Sequence, residues 1–296
     1  LPALLKVVDD NVEELDRDVR YKLMTMLSIF GCSPQTTSLF VSSKGFVTLN
    51  KLFSLCKKDR VKPSADEKRR IYREGAIAAF ACSLNVSSKE FAAANGALDR
   101  LLTYPPKTYD LCTKKMVAVA LHYYAQVNND EVLQYFTKRG GIKIPRDLLE
   151  EPDVETHVLT ARQQIFSRTA FLFSLKSVSM RGAMLEKGIS RILLACSTSK
   201  NPDVANEVAT ALCLFSQIRR GLVHLVQAQG VKMVDQILRI GARNYFHAKT
   251  QNTYLKCAIA LSNMCTHTNS QARLVRDKVF TVFKQLCGAG NATVVD

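Results

Sequence analysis

Glu186-Lys187-Gly188-Ile189 closes a polar run on a glycine and opens an aliphatic helix, in which Ile189, Ile192 and Leu193 follow at helical spacing. The same arrangement returns at Ser43-Lys44-Gly45-Phe46-Val47, Ala94-Asn95-Gly96-Ala97-Leu98, Lys138-Arg139-Gly140-Gly141-Ile142 and Ala228-Gln229-Gly230-Val231. With Gly140 as the third, successive glycines stand 51, 44, 48 and 42 residues apart. A helical unit recurring at this length predicts an α-solenoid, in which each layer buries its apolar face against the next. The glycine is expected to end the first helix of each unit in the left-handed conformation, which other residues enter at a cost. An array of this kind offers a surface for holding other molecules and seldom carries chemistry.

Downstream of each glycine helix the pattern predicts a longer third helix, near 68–84, 109–127, 155–175, 203–217 and 250–266. Their centres are apolar nearly all round, as in Ile77-Ala78-Ala79-Phe80-Ala81, Met116-Val117-Ala118-Val119-Ala120-Leu121 and Val208-Ala209-Thr210-Ala211-Leu212. That composition suits a helix packed on several sides, where alanine lets neighbours approach closely. Asn201-Pro202-Asp203 and Glu151-Pro152-Asp153 mark where two of these helices begin.

The glycine-led second helix, followed by a third helix ending Ala260-Leu261-Ser262-Asn263-Met264-Cys265, resembles the armadillo repeat, whose third helix carries Ala-Leu-x-Asn-Leu-Ala there. HEAT repeats have two helices per unit and lack the glycine hinge. The resemblance implies an all-α, right-handed α-α superhelix, one domain over 1–296. Its units fall near 36–84, 87–127, 130–175, 178–217 and 220–266, with partial units at 1–33 and 269–290, where Asp277 replaces the glycine. Both ends stop mid-unit and neither looks polar enough for a cap, so more protein, or a partner, is expected over each.

Third helices of that family line a concave groove, and the motif Asn contacts an extended ligand. Only Asn263 matches; the equivalent places hold Tyr123, Phe173 and Leu214. Four residues earlier stand Val119, Thr169, Thr210 and Ile259, where nuclear-import receptors of the family carry Trp, and this chain has no Trp at all. The ladder that holds basic import signals is therefore missing. With Lys115, Asn206 and Lys256, these positions give a mixed aromatic, aliphatic and basic groove, suited to an acidic or amphipathic protein segment.

Charge points the same way. The net +15 is uneven: residues 1–159 hold 23 Lys and Arg against 20 Asp and Glu, and residues 160–296 hold 18 against 6. A positive field speeds encounter with acidic surfaces, and a tubulin tail or an acidic adaptor is a partner of that kind. The candidate basic patch comprises Arg219, Arg220, Arg239, Arg243, Lys249, Arg273, Arg276 and Lys278. A second reading gives this half to nucleic acid, RNA above all. Against it, only Tyr245 and Phe246 sit among the cations as stacking aromatics, and no one-base-per-repeat pair recurs.

No catalytic set emerges. Phosphate-loop and metal motifs are absent, and Cys265 with His267 cannot close a zinc site. No metal or cofactor is expected, and the chain reads as non-enzymatic. Its nine cysteines are scattered without C-x-x-C, which fits buried thiols in a reducing, cytoplasmic setting, with the cytoskeleton or nucleus as further stations. No apolar run is long enough to span a membrane.

Overall fold

The computed structural model describes residues 1–33, 35–58, 64–84, 89–102, 110–127, 129–151, 155–241, 248–268 and 271–290. These residues are all-α, with no strand among them. They fall into two compact units, Leu1–Ile144 and Pro145–Asp296.

The first unit runs α1 (Pro2–Asn11), α2 (Arg17–Cys32), α3 (Thr37–Ser42), α4 (Gly45–Lys58), α5 (Ala65–Leu84), α6 (Lys89–Ala92), a π turn (Ala93–Ala97), α7 (Leu98–Leu102), α8 (Leu111–Ala125) and α9 (Asp130–Lys138). The long helices α2, α5 and α8 lie side by side, and α4 and α7 fill the layer beside them. Close approach depends on small residues: Ala76, Ala78 and Ala79 of α5 are fully buried. A Cβ at Gly31 of α2 would stand 3.1 Å from that of Ala78. Phe40, Phe46, Leu49, Leu98 and Leu101 complete the core, each worth about 1.5–3 kcal/mol when fully buried. Tyr124 of α8 is also buried, and its hydroxyl donates to the Ala79 carbonyl at 3.0 Å.

The helix α8 shows how local chemistry sets a boundary. Asp110 is its N-cap; its carboxylate accepts from the Thr113 amide at 2.8 Å and from the Thr113 hydroxyl at 3.0 Å. The amide bond to Thr113 holds the Asp110 carboxyl below the usual aspartate value. Asp110→Ala is expected to cost about 1 kcal/mol, the typical worth of such a cap. The folded pKa is depressed, so this contribution is complete above the unfolded value near 3.9 and is lost as pH falls through the folded one. Urea titrations at pH 7 and pH 3 test this: the gap between wild type and D110A closes in acid.

The short helix α10 (Lys143–Leu149) spans the division between the units. The second unit continues with α11 (Thr156–Ser174), α12 (Val178–Glu186), α13 (Ile189–Ser197), α14 (Pro202–Ser216), α15 (Arg219–Gln227), α16 (Gly230–Gly241), α17 (Ala248–Cys265), α18 (Gln271–Arg276) and α19 (Val279–Gly290). Like elements stack: α11 on α14 on α17, α13 on α16 on α19, and α12 on α15. Asn201 caps α14 by accepting from the Asp203 amide at 2.8 Å, with Pro202 at the first helical position. Pro152 and Asp153, the other expected start signal, lie outside the described residues.

Among the described residues, six left-handed turns punctuate the chain, at Lys44, Gly96, Gly140, Gly188, Gln229 and Lys278. Each separates a short helix from the next helix of its triple, and three of the five expected glycines occupy one. Gly45 and Gly230 do not; the residue before each takes the positive φ, 59° at Lys44 and 64° at Gln229. In the last unit the turn sits at Lys278 (φ 61°), one residue past the expected Asp277. Gly45 and Gly230 answer a different demand, space: a Cβ at 45 would run into the ring of Phe40, and one at 230 would lie 2.7 Å from Met264 Sδ.

Candidate interaction surface

The long helices α11, α14 and α17 carry most of the predicted groove residues. Between α14 and α17 the polar groups meet one another. Lys256 Nζ donates to Thr210 Oγ1 at 2.7 Å and to Asn206 Oδ1 at 3.3 Å. Thr253 Oγ1 donates to the same Asn206 oxygen at 3.1 Å. Near the helix ends, Asn263 Nδ2 donates to Ser216 Oγ at 3.0 Å. Burial holds the Lys256 ammonium below the ordinary lysine value, and it pushes the neighbouring Cys257 thiol up to about 12. Lys256, Asn206 and Thr210 therefore tie one long helix to the next. This leaves Leu214, half-buried, and Ile259, 38% exposed, as the apolar contacts of the face.

On α11 two predicted residues turn inward. Thr169 and Phe173 are buried, and the Thr169 hydroxyl donates to the Ile165 carbonyl within its own helix. Successive helical residues point about 100° apart, so a small error of register moves a side chain from face to core. The open side of α11 carries Arg168 and half-buried Phe171 instead, with the guanidinium 5.0 Å from the ring centroid. Arg168 pairs with Glu207 of α14 at 3.4 Å, and Ser167 donates to the same carboxylate at 2.6 Å. No sequence signal marked this contact, because it joins residues about forty positions apart in the chain.

In the first unit, Lys115, Val119 and Tyr123 share one face of α8 by their four-residue spacing. Lys115 is exposed and the other two are half-buried. The Tyr123 ring meets His122 edge-on at 5.7 Å.

One cavity joins two of the predicted groups. It measures about 610 Å³ and opens where α14 and α17 end and α15 begins, lined by Ser216, Gln217, Arg219, Leu222, Asn263 and Thr266–Thr268. Asn263 comes from the predicted groove and Arg219 from the predicted basic patch. The remaining patch residues are spread over other helices. Arg239 is held by Asp235 at 2.9 Å. Arg273 reaches Asp277 at 3.8 Å and donates to the Gln227 carbonyl at 3.1 Å. Arg276 and Lys278 are exposed. Arg243 lies outside the described residues, as do the side chains of Arg220 and Lys249. No described helix is long and apolar enough to cross a membrane.

No protein-family model matches this chain, and no curated protein matches it at a significant level. Among solved structures, the crystal structure of an engineered protein from the Northeast Structural Genomics Consortium is similar over 90% of this chain and 96% of that one. The identity is 18% and the TM-score 0.52. A second engineered protein from the same consortium is similar over 98% of this chain and 81% of its own, at 16% identity and a TM-score of 0.40. The first likeness is one of fold alone: an all-helical chain with its counterpart in an engineered protein.

Proposed function

We propose that this chain is an armadillo-type α-solenoid acting as a non-enzymatic scaffold. It holds an acidic or amphipathic segment of a partner protein along the open faces of α14 and α17. Helices in triples, six left-handed turns and stacked long helices support the repeat reading, with units as set out from the sequence. The observation that carries the binding reading is the polar cavity of about 610 Å³, where Arg219 and Asn263 converge beside the apolar Ile259 face. A cation and a hydrogen-bonding amide next to an aliphatic contact suit a carboxylate-bearing segment with an apolar anchor. The excess of cations in residues 160–296 adds long-range attraction.

The test uses a fluorescein-labelled peptide alternating Glu with Leu and Phe, titrated by anisotropy. Arg219→Glu combined with Ile259→Asp weakens binding about tenfold or more, since each lost contact is worth about 1 kcal/mol or more. Lys256 is unsuitable for this purpose, because its substitution would also loosen α14 from α17. Unchanged affinity in the double variant rules out this face as the site. An RNA oligonucleotide that binds more tightly than the peptide, with steep salt dependence, would favour the nucleic-acid reading instead.

A further inference from the structure

Two residues beyond the six left-handed turns stand Phe46, Leu98, Ile142, Ser190, Val231 and Phe280. All but Ser190 are apolar, and Phe46, Leu98, Ile142 and Val231 are buried. Ser190 breaks the pattern. It is 4% exposed, yet its hydroxyl makes no hydrogen bond among the described residues. A buried hydroxyl without a partner costs stability, and such a local breach of an otherwise consistent pattern is expected at functional sites.

Ser190 lines a cavity of about 420 Å³ inside the second unit, a size that admits a small molecule. Buried Leu185 and half-buried Leu194 give it an apolar wall, and the half-buried imidazole of His224 adds a ring nitrogen. The helix α13 starts here. Gly188 is its N-cap, no side chain caps it, and a Cβ at Gly188 would meet nothing within 4 Å. The approach to the first amides of α13 is therefore open, and a helix start favours negative charge. Arg191, in the same turn, is exposed and makes no ion pair among the described residues. The lining also holds two exposed carboxylates. Glu186 has no ion pair among the described residues, and Glu150 lies 3.9 Å from Arg146.

We propose that this cavity binds a small zwitterion of the α-amino-acid class. Its carboxylate takes the Ser190 hydroxyl, the first amides of α13 and Arg191. Its ammonium turns to Glu150 and Glu186, and an aliphatic side chain lies against Leu185 and Leu194. Both signs of charge are needed to match the lining. A phosphate dianion meets two carboxylates there, and the carboxyl terminus of a peptide brings them no ammonium. The cavity shares no residue with the Arg219 and Ile259 surface, so either reading can fail without the other.

The test measures leucine binding to the whole chain by saturation-transfer NMR and calorimetry. Beside it run N-acetylleucine, which lacks the ammonium, leucinamide, which lacks the carboxylate, and inorganic phosphate. Leucine binds with a dissociation constant of about 1 mM or below, and each of the others binds at least about tenfold more weakly. Ser190→Ala and Arg191→Met each weaken leucine about tenfold or more, as the loss of a hydrogen bond to a charged group implies. Glu150→Gln combined with Glu186→Gln brings leucine down to the affinity of N-acetylleucine. Arg219→Glu changes nothing. The comparison of ligands uses the unmodified chain, so it decides the matter even if Ser190→Ala fails to fold. No leucine binding up to about 10 mM, or full affinity in folded variants, overturns the proposal. N-acetylleucine binding as tightly as leucine overturns it in favour of a carboxylate site, such as one for a peptide C-terminus. Phosphate binding more tightly than leucine overturns it in favour of a plain anion site.

Discussion

Arg162→Ala lowers the stability of the second unit by about 3 kcal/mol. Arg162 lies in the middle of α11, and only 3% of it is exposed. Its Nη1 donates to the Leu148 carbonyl at 2.6 Å and to Glu151 Oε2 at 2.8 Å. One cation thereby fastens the end of α10 and the turn after it to the long helix. Two losses add up on truncation. The carbonyl of buried Leu148 loses a charged donor, worth about 1.5–3 kcal/mol, and the volume of the stem is vacated. Glu151 contributes less, because its side chain is 26% exposed and water can replace the guanidinium.

Conservative replacements separate these losses. Arg162→Met keeps the packing of the stem and loses the donor, so about 2 kcal/mol is expected. Glu151→Gln keeps an acceptor for Arg162 and costs under about 1 kcal/mol, as for a partly exposed pair. Urea denaturation followed by circular dichroism gives the order Ala, Met, Gln. If E151Q proves as damaging as R162A, the ion pair rather than the carbonyl bond is what holds this corner.

The long helices were legible in the sequence because Ala-rich apolar runs, several turns long, leave few alternatives. The expected 203–217 and 250–266 meet Pro202–Ser216 and Ala248–Cys265 closely. The turns were legible to within one residue, since glycine signals both a positive φ and a lack of room, and nothing in Lys44-Gly45 tells the two apart. The proposed interaction face was legible in composition and not in direction. Asn206, Thr210 and Lys256 are polar where a groove was expected, yet they bond to one another across a gap of about 50 residues. Periodicity along one helix cannot reveal a pairing between two. Phe173 marks the same limit, because an aromatic at a groove position and one in the core have the same sequence signature.

Substitutions at the turns distinguish the two uses of glycine. Gly230→Ala is expected to cost about 2 kcal/mol, within the range for forcing a methyl group into a packed site. Its Cβ would meet Met264 Sδ at 2.7 Å and the Leu225 carbonyl oxygen at 3.1 Å. The thioether can swing aside, but the backbone oxygen cannot. Gly188→Ala has open space around its Cβ and a φ of +88°, so only the left-handed penalty remains, about 1 kcal/mol. Gln229 has the opposite problem, a side chain on a left-handed residue. Gln229→Gly removes that penalty, and although glycine adds freedom to the unfolded chain, a net gain of about 0.5 kcal/mol is expected. All three positions belong to the second unit, so their denaturation midpoints compare directly. If G188A proved as costly as G230A, or if Q229G destabilised the unit, the division of labour between a residue that turns the chain and a residue that makes room would be wrong. The same contrast should hold in the first unit. There Gly45→Ala presses on the fully buried ring of Phe40 and costs about 2 kcal/mol, while Lys44→Gly relieves the turn beside it.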